Sequence, residues 1–269
     1  MVEYFEYPFF RQAFLAVILI SVSAAMIGTY IICRRLVSIS GGITHACFGG
    51  LGLGYFLGIN PVAMAALVAV GSAMGVEVME KRMQLRSDSA VAVIWALGMA
   101  LGVLFVFLTP GYVPELNAFL FGNILTVTTA DLWLFGGFAA LLSLFFCLFY
   151  HQIVTVAFDA DFARVSGLPV RFISYAMTVF VAVCIVLTIR LVGIMLLMSM
   201  LSLPMITAEV FYSRFRPIML ASIVISIVTG LGGLMLSTII DVPCSALIVL
   251  LMAATFVLAK IARMAWRLR

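Results

Sequence analysis

The feature that most constrains this chain is a series of apolar segments, each about twenty residues long and separated only by short connections. That is the length a helix needs to cross the hydrocarbon core of a bilayer. Hydrophobic residues make up 65% of the 269 positions and charged residues 10%, whereas soluble domains are about half apolar and a quarter charged. This composition excludes a soluble enzyme, a disordered chain and a collagen-like chain. It predicts an all-α polytopic membrane protein with one transmembrane domain over residues 1–269.

The apolar segments predict eight or nine transmembrane helices. Interruptions by charge, glycine or proline place them at Gln12–Cys33, Gly41–Gly58, Val62–Val78, Ser89–Leu108, Asp131–Tyr150, Phe172–Ile189, Leu191–Tyr212, Pro217–Ile239 and Pro243–Lys260. The second segment is rich in glycine, and only a tight turn at Arg190 separates the sixth from the seventh, so eight spans with a re-entrant segment also fit. Between the fourth and fifth, Leu116–Ala130 predicts a short helix at the outer interface or dipping into the protein.

The orientation follows from the distribution of Lys and Arg, which concentrate on the cytoplasmic side of membrane proteins. If the loop at Arg34 and Arg35 is cytoplasmic and the nine spans alternate, thirteen of the fifteen basic residues lie inside. Only Arg11 and Arg190 lie outside. The amino terminus is then external and the carboxy terminus cytoplasmic. Because the basic residues lie in small groups between apolar segments, a basic face that could bind nucleic acid is not expected.

Several kinds of catalytic site have no counterpart in the sequence. No Gly-x-x-x-x-Gly-Lys-Ser/Thr loop is present, so this chain does not bind and split ATP in the P-loop manner. No His-Glu-x-x-His motif or Ser–His–Asp order occurs. The five cysteines lie singly in apolar stretches and form neither a disulfide framework nor a zinc motif. The chain is therefore not expected to be an enzyme.

The second predicted span contains the most unusual polar residue of the chain, His45. At 100° per residue, Gly41, Gly49 and Gly52 lie within about 60° of it on one helical face. Ionisable residues at membrane depth often mark an ion path, and neutral imidazole is a common ligand of zinc and related metals. A glycine stripe also allows close helix packing. The pattern leaves both a pore-lining and a packing role open.

The longest inner connection predicts a short cytoplasmic helix. Asp159 can cap its start, Phe162 and Ala163 give it an apolar side, and Gly167 ends it after about two turns. The helix either covers the protein's own inner surface or inserts into a partner's groove. Glu209, near the inner end of the seventh span, either pairs with nearby arginines or contacts a cation at an exit.

Several stretches together resemble the permease subunits of bacterial ABC importers for zinc, manganese and iron. They occur in the family's order over nearly the whole chain: Tyr7-Pro8-Phe9, Arg34-Arg35 before His45, Arg86-Ser87-Asp88-Ser89-Ala90, Ala96-Leu97-Gly98, Leu120-Phe121-Gly122-Asn123, Phe158-Asp159 through Gly167-Leu168-Pro169, Val192-Gly193-Ile194, Leu203-Pro204 and Asp241-Val242-Pro243.

The resemblance implies a multi-pass protein of the bacterial cytoplasmic membrane, surrounded by lipid, which dimerises around a central path. ATP would bind on a partner ATPase subunit, and an extracellular protein would deliver the divalent metal. Residues Asp159, Phe162, Ala163 and Gly167 would form the helix that docks on the ATPase. His45 would be a transient pore ligand, for zinc first and manganese or iron next, with no covalently bound cofactor.

One departure from the family is that many members carry Asp four residues before this histidine, where this chain has Gly41. Two protomers would then supply two imidazoles and no carboxylate. The alternative is an ion-coupled secondary transporter. It requires intramembrane carboxylates, for which Glu77, Asp131 and Glu209 are the candidates.

Overall fold

A computed structural model describes residues 6–34, 36–83, 86–110, 122 and 124–267, with the backbone alone at 77, 80–82, 87 and 267. Nine α-helices and one short 3₁₀ turn account for most of these residues, which include no strand. The helices are α1 Pro8–Cys33, α2 Val37–Leu57, α3 Pro61–Met83, α4 Ser87–Leu108, α5 Thr129–Phe158, α6 Ala160–Val165, α7 Val170–Glu209, α8 Phe215–Ile240 and α9 Cys244–Arg267.

Six of the described helices are long and apolar enough to cross a membrane, which confirms the predicted class of fold. They are α1, α4, α5, α7, α8 and α9. The glycine-rich α2 and the shorter apolar stretch of α3, Pro61–Val76, complete the bundle. Of the predicted outer helix, only a 3₁₀ turn at Ile124–Thr126 is seen, and residues 116–121 and 123 lie outside the described residues.

The 40-residue α7 contains the sixth predicted span and the seventh as far as Glu209. The chain turns between them at Gly193, whose φ of 80° and ψ of 171° suit glycine alone. Val170 at the start of α7 shares a cavity with Tyr30, and Met205 near its end packs on Gly28. Both ends of α7 therefore lie beside the carboxy-terminal half of α1. The chain reverses direction three residues beyond the predicted turn at Arg190.

Polar contacts between helix ends define the two ends of the bundle. At one end, Gln12 Nε2 of α1 donates to Thr129 Oγ1 of α5 over 2.9 Å. At the other, Ser38 Oγ of α2 donates to Asp88 Oδ1 of α4 over 3.2 Å. These two contacts agree with the predicted alternation for the first, second, fourth and fifth spans.

The centre of the bundle is formed by α1 and α7. About two thirds or more of their apolar stretches are buried, compared with 17% for α4 and α9. The outer helices thus expose large apolar side chains, as expected for surfaces that contact lipid or another membrane protein.

Candidate functional site

His45 lies on α2, eight residues beyond its first residue, which places it about 12 Å into the bundle from the inner end. Its side chain is partly buried. The buried Nδ1 atom has no hydrogen-bond partner among the described residues. Buried polar atoms are rarely left without a partner, and an exception calls for an explanation.

The indole of Trp95 on α4 covers one face of the His45 ring. The two ring centroids are 4.3 Å apart, with 3° between the planes. Trp95 itself is 46% exposed, so it separates the imidazole from the outer surface of α4. Trp95 could not be identified from the sequence, because the sequence of an apolar helix does not indicate which residues of other helices it contacts.

Gly49 and Gly52, on the predicted stripe, allow α2 to pack closely on α4. A β-carbon added to Gly49 would lie 2.8 Å from the carbonyl oxygen of Gly98, and one added to Gly52 would lie 2.5 Å from that of Gly102. Gly98 and Gly102 are four residues apart, the spacing of small residues at close helix crossings in membranes. Gly49 and Gly52 thus lie against the backbone of α4, and whether the stripe also lines a path stays a prediction.

Gly41 is the member of the stripe with the most space. A β-carbon there would approach the terminal methyl group of Met198, at 3.3 Å. No group of three or more His, Cys, Asp or Glu side chains able to hold a metal occurs in the described part of the chain. Within the described residues, His45 is therefore not part of such a group.

The short cytoplasmic helix forms as α6, where the sequence predicts it. Asp159 Oδ1 accepts hydrogen bonds from the backbone nitrogens of Asp161 and Phe162, at 3.0 and 2.8 Å. Gly167, with a φ of +76°, ends the helical stretch. Asp159 thus caps the helix and Gly167 ends it, as the sequence predicts.

The two sides of α6 have different environments. Ala163 is fully buried against the helical core. Phe162 is 61% exposed and Val165 is 89% exposed on the cytoplasmic surface. The helix therefore covers its own protein with Ala163 and presents Phe162 outward.

Glu209 is exposed at the end of α7. Its backbone carbonyl accepts a hydrogen bond from Arg263 Nη1 of α9, at 3.4 Å. The described residues include no ion pair between its carboxylate and Arg214 or Arg216.

Asp131, at the outer start of α5, forms an ion pair that the sequence did not reveal. Its Oδ1 lies 2.9 Å from Arg190 Nη2, and its side chain is 10% exposed. Its Oδ2 accepts from the backbone nitrogen of Thr128 at 3.1 Å, as part of a capping box. The pair gives Arg190 a counterion, and it gives Asp131 a structural role.

A bundle of membrane-length helices, with an imidazole inside one of them and a short helix that exposes Phe162, is the architecture of a polytopic membrane protein. The model of the ABC 3 transport family matches residues 6–263. The chain therefore belongs to the ABC 3 transport family, and it is a metal-transport permease subunit rather than an enzyme.

Relatives and a solved structure agree with this membership. A probable metal transport system membrane protein of Chlamydia pneumoniae is 35% identical, covering 89% of this chain and 84% of its own. The manganese transport system membrane protein MntC of Halalkalibacterium halodurans is 29% identical, covering 94% and 87%. PsaBC from Streptococcus pneumoniae in complex with Fab matches with a TM-score of 0.85 and 25% identity, covering 96% and 94%.

Proposed function

We propose that this chain forms the translocation path of an ATP-driven importer of a divalent transition metal. The observation that carries the proposal is His45, an unpaired imidazole partly buried at membrane depth beside the exposed face of α4. An imidazole that no protein group satisfies is available to bind a passing cation. One ligand per protomer gives the weak binding that a transit site needs for release.

The path requires a second copy of the chain. The surface of α4 next to Trp95 exposes several large apolar side chains, among them Leu97, Leu101 and Phe107. Packing of two such faces would bury apolar surface and bring two His45 residues to one path. We therefore expect a homodimer in which each protomer supplies one imidazole.

The energy for transport comes from a separate ATP-binding subunit, since this chain has no P-loop. The exposed Phe162 of α6 is the side chain best suited to enter a groove of that subunit, because buried aromatic anchors contribute strongly to protein interfaces. Ala163 holds α6 against the bundle, so movement of α6 would be transmitted to the membrane helices. An extracellular metal-binding protein would dock at the opposite, outer end.

The first candidate for the transported metal is zinc. Nitrogen donors suit zinc, whereas manganese prefers oxygen donors, and Gly41 offers no carboxylate beside His45. Manganese is the second candidate, because it appears in the name of a relative that is 29% identical.

The alternative of a secondary transporter has little support in the described residues. Asp131 is occupied by Arg190 and by its capping bonds. Glu209 lies exposed at the end of α7 rather than inside the bundle, and the side chain of Glu77 lies outside the described part of the chain.

The test is uptake of zinc and manganese in cells whose other import routes are deleted. The chain would be expressed together with an ATP-binding subunit and an extracellular metal-binding protein of the same type of importer. Uptake of zinc above manganese is expected, and it should disappear when the catalytic site of the ATP-binding subunit is inactivated. Uptake that persists without ATP hydrolysis would contradict the proposal.

A further inference from the structure

A partly open cavity of about 210 Å³ lies at the inner end of the bundle, enclosed by α1, α2, α3, α6 and α7. Two arginines line it: Arg34, just after α1, and Arg164, on α6. No acidic side chain lines the cavity within the described part of the chain. One end of the cavity therefore carries two positive charges.

The rest of the cavity is mainly apolar and deep. Leu36, Ile39, Ile43 and Val76 contribute to its walls. Along α7 it extends from Val170 to Val181, which corresponds to about 16 Å at 1.5 Å per residue. This length is about half the thickness of a hydrocarbon core, which is roughly 30 Å.

The arginines have the chemistry of a phosphate site. Guanidinium groups bind phosphate oxygens through paired hydrogen bonds. Arg34 Nη1 donates to the hydroxyl of Tyr30 at 3.0 Å, which orients the group and leaves its other donors for a ligand. Arg164 pairs with Asp161 at 3.2 Å, but both side chains are strongly exposed, so this pair is weak and exchangeable.

The cavity is separate from the proposed metal path. Ser40 and Ile43 line it on α2, and at 100° per residue they lie about 140–160° around the helix from His45. The ligand of this cavity therefore need not be the transported ion.

We propose that the cavity binds one anionic phospholipid of the cytoplasmic leaflet. Its phosphate lies between Arg34 and Arg164, and one acyl chain follows the apolar wall. The negative surface of the cytoplasmic leaflet favours such a ligand over a zwitterionic lipid. Since Arg164 belongs to α6 and Arg34 to the α1–α2 connection, the bound lipid joins the docking helix to the membrane helices. This binding does not depend on which substrate the permease transports.

The test is native mass spectrometry of the full chain in detergent, titrated separately with phosphatidylglycerol and phosphatidylcholine of identical acyl chains. Phosphatidylglycerol is expected to form a one-to-one adduct at clearly lower concentration. A third titration adds inorganic phosphate to the phosphatidylglycerol complex at equal concentration. Retention of the lipid supports the proposal, whereas its displacement would assign the site to free phosphate and overturn the lipid assignment.

Variants locate the bound lipid. The double variant Arg34→Gln/Arg164→Gln should lose phosphatidylglycerol affinity by roughly tenfold or more. The matched control Arg214→Gln/Arg216→Gln removes the same charge at a separate inner cavity and should bind as the wild type does. Ala73→Leu, which narrows the apolar wall and retains both arginines, should also weaken lipid binding. Equal binding of the two lipids by the wild type, or an equal loss in the control, would overturn the proposal.

Discussion

The imidazole of His45 and the indole of Trp95 are stacked in parallel, with centroids 4.3 Å apart, although they lie on different helices. The contact joins the histidine of the glycine-rich helix to the exposed face of α4. Trp95 therefore limits the access of solutes to the His45 ring from the exposed face of α4.

Removal of the Trp95 ring should expose His45. The measurement is the rate of carbethoxylation of His45 by diethyl pyrocarbonate, followed by peptide mass spectrometry, with the exposed His151 as internal reference. Aromatic pairs contribute about 0.5–1.5 kcal/mol, so Trp95→Ala should raise the rate roughly twofold to tenfold. Trp95→Phe, and Trp133→Ala on the exposed surface of α5, should leave it near the wild-type value. Equal rates in all variants would contradict a covering role.

The glycines of α2 should differ in their tolerance of alanine. Gly49→Ala and Gly52→Ala place a β-carbon against backbone oxygens of α4, and overpacking of this kind typically costs about 1–3 kcal/mol. Gly137→Ala, where nothing lies within 4 Å, is the matched control. Thermal unfolding in detergent should show lower midpoints for the first two variants only. Unchanged midpoints would mean that α2 and α4 are not closely packed.

Loss of the Arg190 charge should destabilise the outer end of the bundle. Arg190→Gln leaves the buried Asp131 carboxylate without its counterion, which should cost about 1–3 kcal/mol. Asp131→Asn in the same chain removes that unpaired charge, so the double variant should recover part of the loss. The free energy of unfolding of the wild type, both single variants and the double variant measures this coupling. Strictly additive losses would show that the pair contributes nothing.

The two apolar residues of α6 should give different defects. Phe162→Ala removes an exposed side chain, so the permease should fold normally but capture less of its ATP-binding subunit and transport less metal. Ala163→Asp buries a charge against the core, so it should lower the unfolding midpoint itself. Co-purification and thermal unfolding distinguish these outcomes. Normal capture and normal uptake by Phe162→Ala would exclude it as the docking anchor.

Local sequence signals predicted much of this fold. Apolar length located the membrane helices, and Asp159 with Gly167 located α6, because span length, capping and helix termination are properties of neighbouring residues. The reversal in α7 occurs at Gly193 rather than at Arg190, because only glycine readily adopts the backbone angles of that turn.

Contacts between distant helices were not predictable in the same way. The Arg190–Asp131 pair and the His45–Trp95 stack each join residues far apart in the sequence. The role of Gly49 likewise remained open until Gly98 was seen beside it. An apolar or glycine-rich helix can face several neighbours, and the sequence of one helix does not select among them.

Metal uptake by His45→Ala tests most directly whether His45 is a transient metal ligand. Zinc and manganese uptake would be measured in cells lacking other import routes, at matched membrane abundance. His45→Gln serves as the control for a packing role, since it keeps a polar side chain. Gly41→Asp, which meets only the movable methyl group of Met198, adds an oxygen donor and should shift uptake toward manganese.

If His45 is a transient ligand, His45→Ala should lose most metal uptake while the protein remains folded, assembled and normally abundant, and His45→Gln should not restore it. Near-normal uptake by His45→Ala at normal abundance would show that His45 is not a ligand of the transported metal.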